Sequence, residues 1–175
     1  MTVQNGYSVF LVDDDKMFLT SLKNNLQQKF GSMLKVSEYD SGEKCIQRIS
    51  QSAPTDNIPD VVILDYQLND DTHPEAIDGI KVLRKIKSIS NDTIVIMLSG
   101  HDRLQVALES VKNGAYEYIA KGENAFPVAQ NALKNAIENI KSTRRNDMYL
   151  KWNFYLGMFI MSIMLFDIIW YCAMR

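Results

Sequence analysis

Three short runs of apolar residues constrain the fold of this chain more than anything else in it: SVFLV at Ser8–Val12, VVIL at Val61–Leu64 and IVIML at Ile94–Leu98. Each is rich in β-branched residues and lacks polar alternation, the pattern of parallel strands covered on both faces. Helix-length stretches separate them. Phe18, Leu19, Leu22 and Leu26 form one core-facing stripe at helical spacing, Ile80, Leu83, Ile86 and Ile89 a second, and Leu104, Ala107, Leu108 and Val111 a third. Leu34–Tyr39 alternates apolar and polar residues, as a half-exposed edge strand does, and Tyr116–Ala120 reads as a second edge. Residues 126–141 supply a last helix with Val128, Ala129, Leu133, Ala136, Ile137 and Ile140 inward. Strand then helix, five times over, predicts an α/β fold: a doubly wound five-stranded parallel sheet with helices on both faces.

Such sheets collect their chemistry at the carboxyl ends of the strands. The first run ends in Asp13, Asp14 and Asp15, the third strand in Asp65, the fourth in Ser99 and Gly100, and the fifth in Lys121. Taken singly these are ordinary: Asp15 is placed to cap the next helix, and a lone lysine is usually surface charge. Together, at four ends of one sheet, they converge on one crevice. Carboxylates held a few ångströms apart repel and raise one another's pKa unless cations intervene. A hard divalent ion and a nearby ammonium remove that penalty, and oxygen ligands with room for water favour Mg²⁺. The strand ends therefore read as a site for Mg²⁺ beside a phosphoryl group.

Charge excludes some classes and divides the chain. With 19 Lys+Arg against 21 Asp+Glu there is no basic excess, so a nucleic-acid partner is not expected. Cys45 and Cys172 lie far apart, form no C-x-x-C spacing and are accompanied by two His, which argues against a disulfide scaffold or a zinc cage. Trp152–Met174 carries one charged residue, Asp167. From Phe154 to Met174 only Ser162 and Asp167 are polar, and as a helix these residues span roughly 32 Å, close to the thickness of bilayer hydrocarbon. Trp152, Phe154 and Tyr155 at one end and Trp170 and Tyr171 at the other fall where interfacial aromatic belts occur. Apolar residues surround the whole wheel, leaving no polar face to lie on a surface. Asp167 opposes insertion by about 2.5 to 3.5 kcal/mol, and each of the nine Leu, Ile and Phe residues favours it by about 0.3 to 0.6 kcal/mol, so insertion is predicted. Asp167 reads either as a contact to a partner helix or as an acid tolerated near the far interface.

Lys141, Arg144, Arg145 and Lys151 precede the span and Arg175 follows it, which places the amino-terminal domain in the cytoplasm and makes the chain a single-pass protein of the cell membrane. The first residues carry no signal pattern, so anchoring by the tail alone is expected. The expected organisation is a soluble domain at residues 1–141, a basic juxtamembrane linker at 142–151 and a transmembrane helix at 152–174.

The segments VFLVDDDKMFL, PDVVILDYQL, IVIMLSGH and GAYEYIAKG, in this order and spacing, resemble the receiver domain of bacterial two-component response regulators, from about Tyr7 to Lys141. The resemblance implies a flavodoxin-like sheet of strand order 2-1-3-4-5. By position it makes Asp65 the phosphoacceptor, Asp14 a direct metal ligand and Asp13 a ligand through water, with the backbone carbonyl of Gln67 completing the Mg²⁺ shell. Ser99 matches the hydroxyl that closes on the phosphoryl oxygen, Lys121 the cation that pairs with it, and Tyr118 the aromatic whose rotamer follows. The implied donor is a histidine kinase or phosphotransfer protein. Gly122 stands where the family usually has a cis proline, so that loop is expected to differ in shape. The loop YQLNDDTHPEAIDG after Asp65 is longer than usual and carries Asp70, Asp71 and His73; it reads as a tolerated insertion. Gln67 and His101 sit where the family tunes dephosphorylation, but His101 reads as an exposed loop residue with no catalytic role.

Three functions compete. A membrane-tethered receiver with no DNA-binding output would act through a membrane-protein partner or a second copy of itself, since the stretch from Lys121 to the span holds one helix. A phosphatase of the haloacid dehalogenase type also uses a strand-end Asp, a Lys and Mg²⁺, but needs a second acid where Gln67 stands. A non-phosphorylated pseudo-receiver adaptor would keep the fold without the switch. The first is favoured, making the chain a signalling phosphoacceptor that catalyses only its own phosphorylation and dephosphorylation.

Overall fold

The computed structural model describes residues 6–52, 58–68, 78–100 and 104–175. Asp70, Asp71, His73 and His101 lie outside these residues, as does the side chain of Asp167. The chain divides into two compact units, Met1–Ile137 and Glu138–Arg175.

The first unit alternates β1 (Tyr7–Val12), α1 (Lys16–Phe30), β2 (Leu34–Tyr39), α2 (Gly42–Ser52), β3 (Val61–Asp65), α3 (Gly79–Ile89), β4 (Ile94–Ser99), α4 (Leu104–Lys112) and β5 (Glu117–Ala120), then enters α5 (Ala125–Ala173). All strand pairs are parallel, in the order β2-β1-β3-β4-β5. The three apolar runs are the three central strands, and β2 and β5 are the edges, as the patterns predict. β3 is buried along its whole length, Asp65 included. Its Val62 and Leu64 pack with Val95 of β4 and with Ile49, Leu83 and Ile86 of α2 and α3 in one core cluster. Cys45 belongs to the same cluster, and burial pushes its thiol up to about 12, far from reactivity.

Two expected core faces are corrected. On α4 the residues Leu104, Leu108 and Val111 are exposed, and Val106 and Ser110 are buried instead. Apolar count misleads there because Ser110 Oγ donates to Val106 O at 2.7 Å, which satisfies the hydroxyl inside its own helix and lets it be buried. On α5 Val128 is exposed, whereas Ala125 and Ala132 join Ala129, Leu133, Ala136 and Ile137 in the core. β5 also starts one residue later than expected, because Tyr116 is an exposed lead-in whose N–H still donates to Val95 O.

In the second unit Glu138–Ala173 is helical; Ile140, expected to face inward, is half-buried, and every large apolar side chain described beyond it is exposed. This helix is long and apolar enough to cross a membrane by length and composition.

Candidate functional site

Where β1 ends, the three consecutive acids divide their work. Asp15 caps α1, its Oδ1 accepting the N–H groups of Met17 at 2.8 Å and Phe18 at 3.1 Å. Asp13 turns back into the sheet end and is 2% exposed. Its Oδ1 accepts the Asp15 N–H at 3.0 Å, which leaves Oδ2 for Lys121, whose Nζ donates at 2.7 Å. The same ammonium lies 2.9 Å from Oδ2 of Asp65, the last residue of β3. Asp65 Oδ1 is buried and, among the described residues, has no hydrogen-bond partner. Asp14 is exposed, and one carboxylate oxygen from each of Asp13, Asp14 and Asp65 falls within 4.8 Å of the others.

Burial dominates the electrostatics. It raises the Asp13 carboxyl above its ordinary value even though the Lys121 hydrogen bond and charge pull the other way. Burial and then the Asp13 charge push Asp65 up to about 6, with the Lys121 ammonium opposing them. Burial disfavours charge on Lys121 as well, but Asp65 and Asp13 outweigh it, and its pKa is raised. One ammonium is thus not enough cation for two buried acids and a third beside them.

The donor set fits a hard divalent ion. Three carboxylates converge, one is open to solvent, and the orphaned Oδ1 of Asp65 is an acceptor with nothing to accept from.

The other expected residues lie around this cluster. Ser99 ends β4 and is fully buried; its carbonyl accepts the Lys121 N–H at 2.6 Å, which ties the lysine loop to the neighbouring strand end. The register pairs Asp65 with Leu98, so Ser99 stands one residue beyond Asp65's partner. Tyr118, paired with Met97, is half-buried against the core. Gln67 is exposed, and its backbone N–H lends the Asp65 carboxylate a minor stabilisation. Gly122 opens the turn into α5, its carbonyl accepting the Ala125 N–H at 2.9 Å, and all peptide bonds described are trans.

Two contributors escape sequence reasoning. Phe18, counted in the α1 stripe, presents its ring to the Lys121 ammonium at 4.6 Å from the centroid and packs on Phe126 at 5.3 Å. Its position three residues after the cap is the only signal for it. Gly79 donates its N–H to Tyr66 O at 2.9 Å, closing the base of the long loop beside the site. A Cβ there would stand 2.4 Å from Asp65 O and 2.6 Å from Tyr66 Cα, so only glycine fits.

Known proteins share this arrangement. The sequence pattern of the family described as "Response regulator receiver domain" matches residues 9–138. The C4-dicarboxylate transport transcriptional regulatory protein DctD of Rhizobium meliloti is 27% identical over 73% of this chain, and the two-component response regulator ARR2 of Arabidopsis thaliana is 30% identical over 83%. The chain spans only 25% and 18% of these two relatives. Among solved structures, a receiver domain protein from Clostridium thermocellum superposes with a TM-score of 0.64 at 29% identity, covering 78% of this chain and 98% of that one. The BeF3-activated receiver domain of DrrB, a Thermotoga maritima protein, gives 0.61 at 26% identity over 76% and 98%. With a parallel 2-1-3-4-5 sheet, an acidic cluster and a lysine at its carboxyl edge, this chain belongs to the response regulator receiver domain family.

Proposed function

We propose that the chain is a membrane-tethered receiver that accepts a phosphoryl group on Asp65 from a histidine kinase or phosphotransfer protein and thereby switches its contacts with a partner. The observation that carries this reading is the buried Asp65 carboxylate, with Lys121 on Oδ2 and, among the described residues, no partner for Oδ1. Asp13, Asp14, Asp65 and the Gln67 carbonyl would hold Mg²⁺, which when bound neutralises charge on the transferring phosphoryl group. An Asp65 carboxylate oxygen attacks phosphorus as the P–N bond of the donor phosphohistidine breaks, leaving an aspartyl phosphate and a neutral histidine once its nitrogen is protonated. Lys121 stabilises the phosphoryl oxygens in flight, and it is already poised within hydrogen-bond reach of the acceptor. The Ser99 hydroxyl then turns to the new oxygens, and Tyr118 follows the shift of β4's end. The stretch from Lys121 to Phe154 is taken up by α5, which supports output through the receiver surface or the helix itself rather than through a DNA-binding module between them.

Incubation with acetyl phosphate and Mg²⁺ should label the wild-type protein with an acid-stable, hydroxylamine-labile phosphate, and the Asp65→Asn variant should stay unlabelled. Equal labelling of both removes Asp65 from this role, and no labelling of either favours the adaptor. Alkaline carbonate should leave the full chain in the membrane pellet; its release would exclude a spanning helix.

A further inference from the structure

Residues 141–155 lie within the second unit, and all are helical and exposed. At ~100° per residue, Lys141, Arg144, Arg145 and Lys151 fall within one arc of about 120°. Met148, Trp152 and Tyr155 fall inside the same arc. Asn139, Thr143, Asn146 and Asn153 occupy the opposite side, and Asp147, the one acid between residues 139 and 166, lies outside the arc's edge. Orientation of the span requires cations near its cytoplasmic end but is indifferent to the side on which they stand. This stripe is one-sided, and its cations are interleaved with an aromatic pair that leads directly into the apolar segment.

A face of that kind is complementary to a plane that is anionic at the surface and apolar beneath it. Distance decides how the helix must lie to use it. Lys141 is eleven residues, or about 16 Å of helix, above Trp152, well beyond the screening length of about 8 Å at physiological salt. An upright helix would leave the outer cations idle. We propose that the stripe is a docking face for anionic phospholipid headgroups, which draws residues 141–155 down onto the bilayer on that side. This deepens the membrane-spanning reading and rests on it.

The full chain, with Cys45 and Cys172 replaced by alanine, is reconstituted into vesicles of phosphatidylcholine alone or mixed with phosphatidylglycerol. A nitroxide is placed through Met148→Cys, Leu150→Cys or Ile160→Cys, and its depth is read from the ratio of oxygen to nickel-chelate collisions. Position 148 is farther than 150 from the span, so an upright helix puts 150 deeper. With phosphatidylglycerol present the label at 148 should be the deeper, its nickel accessibility at least about twofold below that at 150. In neutral vesicles, or with the four cations changed to glutamine, the order should revert. A label at 150 that stays deeper in anionic vesicles overturns the docking face while the span stands. A label at 160 open to nickel sinks the spanning reading itself. Capture of a fluorescent single-stranded oligonucleotide in neutral vesicles, lost in the glutamine variant, would assign the cations to nucleic acid and overturn the lipid face.

Discussion

Replacing the central carboxylate, Asp65→Asn, should make the metal-free receiver domain more stable at neutral pH. Burial and the Asp13 charge raise Asp65 to about 6, against 3.8 for the free side chain. The folded protein therefore holds this proton more tightly than the unfolded chain. Its contribution to stability is fully present below 3.8 and is lost as pH rises through about 6. A difference of about two pKa units is worth about 3 kcal/mol, the upper limit of what the charged Asp65 costs the fold above that window. Asparagine removes the charge but leaves a buried amide N–H without a partner, which costs about 1 kcal/mol. A net gain of about 2 kcal/mol is expected by urea unfolding of residues 1–150 in EDTA at about pH 7.5, falling through zero between about pH 4 and about pH 5 and becoming a loss of about 1 kcal/mol in stronger acid. Excess Mg²⁺ should act in the opposite sense, stabilising wild type by about 2.7 kcal/mol at about a hundredfold over its Kd and the variant far less. A variant less stable than wild type at neutral pH without metal, or an advantage that persists unchanged in acid, refutes the electrostatic reasoning.

Phe18→Leu removes the ring beneath the Lys121 ammonium, a contact worth about 1 kcal/mol, and should slow labelling by acetyl phosphate roughly fivefold while calorimetric Mg²⁺ affinity is unchanged. Gly79→Ala drives a Cβ into the backbone of Asp65 and Tyr66 and should cost about 3 kcal/mol in urea unfolding. On α4, Leu108→Gln should change stability by less than about 0.5 kcal/mol, because that side chain is 61% exposed, whereas Val106→Ala should cost about 2 kcal/mol.

How much was legible depends on whether a residue's role is written in its own neighbourhood. The central strands are, because a short β-branched run without alternation has few other places to go, and the acids and lysine were found by asking which residues end those strands. The α4 face was not. Leu104, Leu108 and Val111 outnumber the apolar residues of the buried side, and the hydrogen bond that makes Ser110 acceptable inside is a property of the folded helix. Phe18 was assigned to the core for a similar reason: helical spacing puts it near the stripe, and only the return of the chain at Lys121, more than a hundred residues later, turns its ring into a partner for a cation. Gly79 could be read as a loop residue but not as the closure of that loop, since the carbonyls it meets are brought there by β3.

The charges of the cluster also bear on the role proposed for the hydroxyl at the end of β4. Asp13, Asp14 and Asp65 with Lys121 alone leave an excess of two negative charges in a largely buried site, where burial first and the neighbouring acids after it raise the pKa values of Asp13 and Asp65. A divalent cation would bring the formal charge of the cluster to zero. Converting the Asp65 carboxylate into an acyl phosphate then adds about one negative charge and new acceptor oxygens. Lys121 is already shared between two acids and cannot answer the whole demand. By strand register a hydroxyl, that of Ser99, stands one residue past Asp65's partner, on a strand end tied to the lysine loop through the Lys121 N–H. Under the proposed switch, recruiting Ser99 would move that strand end, and the tie would carry the displacement to the loop that precedes α5.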